Sequence, residues 1–126
     1  MTKTLEQTGL PSAFADVEAL ESFMCTPCEA LVAELASIEG DIAVLGAGGK
    51  MGPTLARLAR QAAPEKTVYA VARFSDPVVR QQLDRHGVTT IAADLLDRTA
   101  LEALPEVANV IFMAGHKFGA TDNPGL

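Results

Sequence analysis

With 126 residues, 48% of them hydrophobic and 21% charged, the chain is sized for one soluble globular domain with a proper core. Two cysteines do not make a disulfide framework, no apolar run approaches the ~18 residues of a membrane span, and no basic flank leads an apolar block at the N-terminus. A membrane partner and export are therefore not expected, the expected location is cytoplasmic, and the net charge of −6 offers no basic face for nucleic acid.

Residues 1–40 hold seven acids and one base, while the remainder is balanced. The acidity thus belongs to an N-terminal extension at 1–40, ahead of a body at 41–126. From Pro11, the residues Phe14, Val17, Leu20 and Phe23 or Met24 step by three or four, which predicts a short amphipathic helix. Thr26-Pro27-Cys28-Glu29 has the form of a capping box with proline at the first helical position. Leu31, Leu35 and Ile38 follow on one stripe, and Gly40 ends it. Such a pair is expected to pack against a sheet or cap an exposed edge.

Asp41 to Leu45 is a short apolar run between Gly40 and Gly46, the pattern of a buried parallel strand. Lys50 to Ala63 then sets Met51, Leu55, Leu58, Ala59 and Ala62 at helical spacing. The turn between them, Gly46, Ala47, Gly48, Gly49, Lys50, Met51 and Gly52, makes a place for phosphate. Its glycines let a pyrophosphate approach the backbone, and the helix start supplies free N–H groups and the positive end of the dipole.

Further along, Thr67 to Ala72 reads as a second strand, and Ser75-Asp76-Pro77 opens a helix that runs to His86 and stops at Gly87. Val88 to Ala92 is a third strand, Asp97 caps a short helix through Leu104, and Asn109 to Met113 is a fourth strand. Connections of this length between apolar strands imply right-handed parallel crossovers and a sheet order of 3-2-1-4, with a ligand at the carboxyl ends between strands 1 and 4. The expected fold class is α/β: a Rossmann-type parallel sheet with helices on both faces, preceded by an N-terminal helical pair. An apolar fourth strand left at the edge is a pairing site. The acidic helices could cover it, a second chain in a homodimer could pair with it, or the polypeptide could be part of something longer, which is the expectation favoured.

The G-x-x-G-x-x-G spacing of Gly46, Gly49 and Gly52 between a strand and a helix, together with Val110 to Lys117 (V-I-F-M-A-G-H-K), resembles the extended short-chain dehydrogenase/reductase superfamily, the branch of NAD-dependent epimerases and dehydratases. The resemblance covers about residues 41–120 and implies an NAD or NADP cofactor. In NAD-preferring members of that family an acid ends the second strand; here Ala72 holds the position, followed by Arg73, with Ser75 close behind. That favours NADP, because a guanidinium suits a 2′-phosphate, the alternative being a solvated loop arginine. By the same resemblance Asp94 and Leu95 meet the adenine, the alternative being a loop aspartate that caps the next turn. Ala114 and Gly115 would lie along the nicotinamide ribose, and Lys117 would reach the pyrophosphate. His116 is then a pocket-rim residue rather than a catalyst.

The family's catalytic pair, Tyr-x-x-x-Lys, has no counterpart: the single tyrosine, Tyr69, lies in the second strand with Arg73 four residues on. The function implied is the NAD(P)-binding domain of an epimerase- or dehydratase-like oxidoreductase. Its parent reaction would be hydride transfer on a sugar-nucleotide-like or other carbinol substrate held by a longer chain. The alternative is a non-catalytic dinucleotide sensor or scaffold acting through protein partners. Cys25-Thr26-Pro27-Cys28 at a helix start is either a low-pKa thiol motif or two incidental cysteines in a helix junction. No metal is expected, since His86 and His116 are not in finger spacing.

Overall fold

A computed structural model describes Thr4 and residues 10–115. Along the chain run α1 (Val17–Met24), α2 (Glu29–Ser37), β1 (Ile42–Leu45), α3 (Gly52–Ala62), β2 (Val68–Ala72), α4 (Pro77–Arg85), β3 (Thr89–Ala92), α5 (Arg98–Glu102) and β4 (Asn109–Phe112). The strands form one parallel sheet in the order β3-β2-β1-β4. The apolar runs of β1 and β2 are nearly continuous because these central strands are covered on both faces. In register, Val44 stands beside Ala70 on one side and Ile111 on the other.

One face of the sheet carries Ile42, Val44, Val68 and Ala70, buried against Ala56 and Ala59 of α3, Leu83 of α4, and Val88. The buried stripe of α3 is Gly52, Ala56, Ala59 and Ala62. It differs from the expected one, since Met51 precedes the helix and is 70% exposed. Small side chains bring this helix close to the sheet, so the longer Leu55 is left at the margin of the core. The other face, with Ala43, Leu45, Tyr69, Val71 and Val110, is covered by α5 and the segment after it, leaving an open groove of about 430 Å³.

Aspartates start the later helices by bonding their first free amides. Asp76 Oδ1 accepts from the Val78 amide at 2.9 Å, and Asp97 Oδ1 from the Thr99 amide at 3.0 Å. Gly87, at φ +82°, ends α4 in the left-handed region that glycine enters without a Cβ penalty.

The N-terminal pair departs from expectation in three respects. α1 starts at Val17, not near Pro11, because Asp16 caps it by accepting from the Ala19 amide at 2.8 Å. Phe14 stays outside the helix and stacks, tilted, on Phe23 at 5.3 Å between ring centroids. The capping box at Thr26 does not form: α2 is capped by Cys28 without a side-chain bond, and the Thr26 hydroxyl donates backwards to the Ser22 carbonyl at 2.7 Å. Finally, the pair lies on α3, with Leu35 reaching the core, rather than on the sheet or its edge. Behind it, the Asn109 side-chain amide donates to the Glu39 carbonyl at 2.9 Å and the Asp41 carbonyl at 3.1 Å, tying the start of β4 to the chain entering β1.

Candidate functional site

Four loops leave the carboxyl ends of the four strands, and backbone bonds hold them together. The Gly46 and Ala47 amides both donate to the Val71 carbonyl, at 2.8 and 3.1 Å, so the glycine turn is fastened to the end of β2. The Ala93 amide donates to the Ala72 carbonyl at 2.9 Å, joining the ends of β2 and β3. The Met113 amide donates to the Leu45 carbonyl at 2.8 Å, joining β4 to β1.

Within the turn, the glycines do different work. Gly46 has φ +86°, and a Cβ there would lie 2.5 Å from the Ala114 nitrogen. The first glycine is therefore what lets Ala114 approach, and the structure does bring these two expected residues together. A Cβ on Gly52 would lie 2.6 Å from the Ala47 Cα, so this glycine lets α3 start directly against the turn. At Gly48 a Cβ would meet the Ala72 side chain at 3.2 Å. Gly49 is different, because a Cβ there would meet nothing within 4 Å. Nothing in its surroundings requires glycine, and the space before it is open.

Behind the turn, α3 begins without a side-chain cap and without an acid in its first turn, with Pro53 at the helix start. Pro53 has no N–H and the Leu55 amide donates to the Met51 carbonyl at 3.0 Å, so the Gly52 and Thr54 amides are the ones left without a side-chain cap, at the positive end of the helix dipole. Lys50 is exposed and Ala47 buried, so the turn presents backbone and one cation.

Arg73 and Ser75 are exposed at the end of β2. Among the described residues the ion pairs are Arg57 with Glu21 and Arg98 with Glu102, so Arg73 has no acid engaged. Between Arg73 and Ser75 stands a residue that sequence reasoning passed over. Phe74 adopts φ 53°, the one non-glycine residue at positive φ among those described. Its ring packs against the core, and the Arg80 guanidinium lies over it at 5.6 Å. Side-chain burial thus holds a strained backbone of ~1–2 kcal/mol, and this bend sets the direction in which Arg73 and Ser75 leave the sheet. An aromatic residue after a strand carries no sequence signal for such a conformation.

At the end of β3, the Asp94 carboxylate accepts from the Leu96 amide at 2.9 Å, and the Asp94 carbonyl accepts from the Asp97 amide at 3.0 Å. The turn-capping role therefore exists, with Asp94 exposed and Leu95 half-buried. Ala114 is half-buried and Gly115 exposed, while Lys117 and His116 lie outside the described residues.

The cysteines sit away from these loops. Both are free; Cys28 is exposed and Cys25 is buried, its thiol donating to the Thr54 carbonyl in the first turn of α3 at 3.7 Å. Burial pushes the Cys25 thiol above its ordinary value, against a downward pull from Arg57 and with an upward push from Glu21. That is the reverse of the low-pKa thiol considered for this motif.

Fold and site together define a class, a Rossmann-like α/β sheet of order 3-2-1-4 with a glycine turn at the point where the strand order reverses. The chain matches no family model, no curated protein and no solved structure. No helix among the described residues is long and apolar enough to cross a membrane.

Proposed function

We propose that the chain binds a nicotinamide dinucleotide, NADP in preference to NAD, with the pyrophosphate over the turn at Gly46–Gly52. The observation that carries this reading is Gly49, a glycine with open space where its Cβ would be, set before a helix whose first amides have no side-chain cap. Bare backbone, uncapped amides and the helix dipole together suit a diphosphate. Arg73, exposed and without an acid partner among the described residues, would meet the 2′-phosphate, with Ser75 beside it. Asp94 keeps one carboxylate oxygen for the adenine amino group, and Leu95 an apolar surface for the ring. Ala114 and Gly115 would border the nicotinamide ribose, with Lys117 following them in sequence.

Bound there, the nicotinamide would supply hydride chemistry, and this chain's residues would hold and orient it. In an epimerase- or dehydratase-like oxidoreductase, oxidation of a carbinol substrate, or reduction of the corresponding carbonyl, also takes a Tyr-x-x-x-Lys pair. The single tyrosine of this sequence, Tyr69, lines the groove beneath α5 instead. That observation favours a second reading, a dinucleotide sensor or scaffold that acts through protein partners.

Calorimetric titration with NADP⁺ and NAD⁺ tests the binding site. Gly49→Val is expected to keep the fold and lose binding. Arg73→Ala is expected to weaken NADP⁺ by about tenfold and leave NAD⁺ unchanged, the scale of one charge-assisted hydrogen bond. No binding of either nucleotide to the wild-type chain would sink the reading.

A further inference from the structure

β4 lies at one edge of the sheet, and among the described residues no strand pairs with its outer side. Its Val110 and Phe112 are 56% and 67% exposed, and Ile111 is 36% exposed. The Met113 amide donates inward to Leu45, and parallel pairing alternates along the strand. The backbone groups of Ile111 therefore face β1, while the N–H and C=O of Val110 and Phe112 face outward.

The opposite edge is built differently. β3 reads T-T-I-A, and its Thr90 hydroxyl donates to Asp84 at 2.6 Å and accepts from Arg80 at 3.0 Å. These bonds tie β3 to α4, and this strand carries threonines where β4 exposes Val110 and Phe112. Residues 109–115, N-V-I-F-M-A-G, carry no charge at all. Two copies of this segment can meet without like charges facing each other.

We propose that β4 pairs antiparallel with β4 of a second copy of the chain, about a two-fold axis at Ile111. This register places Val110 of one protomer opposite Phe112 of its partner, and the reverse, each pair exchanging both of its outward N–H···O bonds. It sets an aromatic ring against a β-branched side chain on the groove face of the sheet, a favourable cross-strand pair. Ile111 meets its own copy on the axis as a non-hydrogen-bonded pair, with Cα atoms ~4.5 Å apart. The contact is isologous, the same strand edge of each protomer being used up in it, so it closes as a dimer. Strands of four residues bury less than the ~1,200 Å² at which stable interfaces begin, so the dimer is weak, with a dissociation constant on the order of 10–100 μM. The pairing is independent of whether a nucleotide occupies the glycine turn.

Sedimentation across concentration, joined to cysteine cross-linking, tests the pairing. In a Cys28→Ser background, Ile111→Cys is treated with oxidised glutathione, which takes two electrons and two protons from two thiols and leaves one disulfide and two molecules of reduced glutathione. Ile111→Cys is expected to form a covalent dimer at least tenfold faster than Val110→Cys, whose copies are held apart in this register. Wild-type protein should move from monomer toward dimer as its concentration passes the expected range, and Ile111→Lys should stay monomeric with an unchanged circular dichroism spectrum. A wild-type monomer throughout that range overturns the proposal. So does cross-linking of Ile111→Cys no faster than Val110→Cys, a measurement that holds even if the lysine variant fails to fold.

Discussion

Gly52 and Gly49 stand three residues apart in one turn, yet only Gly52 is required by its own chain. A side chain at Gly52 would press on the Ala47 backbone, whereas one at Gly49 would point into open space. Gly52→Ala is therefore expected to lower stability by ~1–3 kcal/mol, the ordinary cost of forcing extra atoms into a packed contact. Gly49→Ala should stay within ~0.5 kcal/mol, since it touches nothing. Urea unfolding of the two variants checks both, and equal losses would contradict the assignment of roles. The glycine spacing was readable in the sequence, but the division of labour was not. The need at Gly46 and Gly48 depends on Ala114 and Ala72, far along the chain, and that at Gly52 on how the turn folds back onto Ala47. Phe74 makes the same point, since its positive φ is held by a core that assembles only when β2 and α4 come together.

At the scale of elements, the junction between α1 and α3 contains a polar group without a partner. Arg57 is 13% exposed at its side chain, sits 3.9 Å from Glu21, and its Nε is buried without an acceptor among the described residues. A long ion pair with a half-exposed acid contributes little, while the desolvated nitrogen opposes folding. Arg57→Met, which keeps the aliphatic packing, is expected to leave stability unchanged or raise it by up to ~1 kcal/mol. A loss above ~1.5 kcal/mol in urea unfolding would show that the pair matters more than its geometry indicates. The helices themselves were legible from their three- and four-residue steps, whereas their starts were not. Asp16 starts α1 because its carboxylate reaches the Ala19 amide, and Cys28 starts α2 because the Thr26 hydroxyl is drawn back onto the Ser22 carbonyl.

For the molecule as a whole, the buried Cys25 thiol couples stability to alkaline pH. Its folded pKa lies above the ordinary value of 9.0, so above that pH the unfolded chain sheds a proton that the folded chain keeps. Stability is then full below about pH 9 and falls as pH rises through the window between 9.0 and the higher folded value. Urea midpoints at pH 7.5 and pH 10 should show this fall, and Cys25→Ala should reduce it. An identical pH dependence in the variant would remove Cys25 as the cause. Thiol reagents should meanwhile modify Cys28 in the folded chain and spare Cys25, matching their exposures.

What the sequence determined by itself was the order of elements, the parallel sheet of order 3-2-1-4, and the position of a glycine turn at the strand-order reversal. Those follow from local patterns: apolar runs, helical periodicity, aspartate caps and short crossovers. The packing of the N-terminal pair on α3, and with it the outer side of β4 left without a partner strand among the described residues, came from the folded chain alone. The same holds for Gly46, which must lack a side chain for Ala114 to approach. These depend on contacts between residues distant along the chain, and a one-dimensional pattern carries no record of which surfaces will meet.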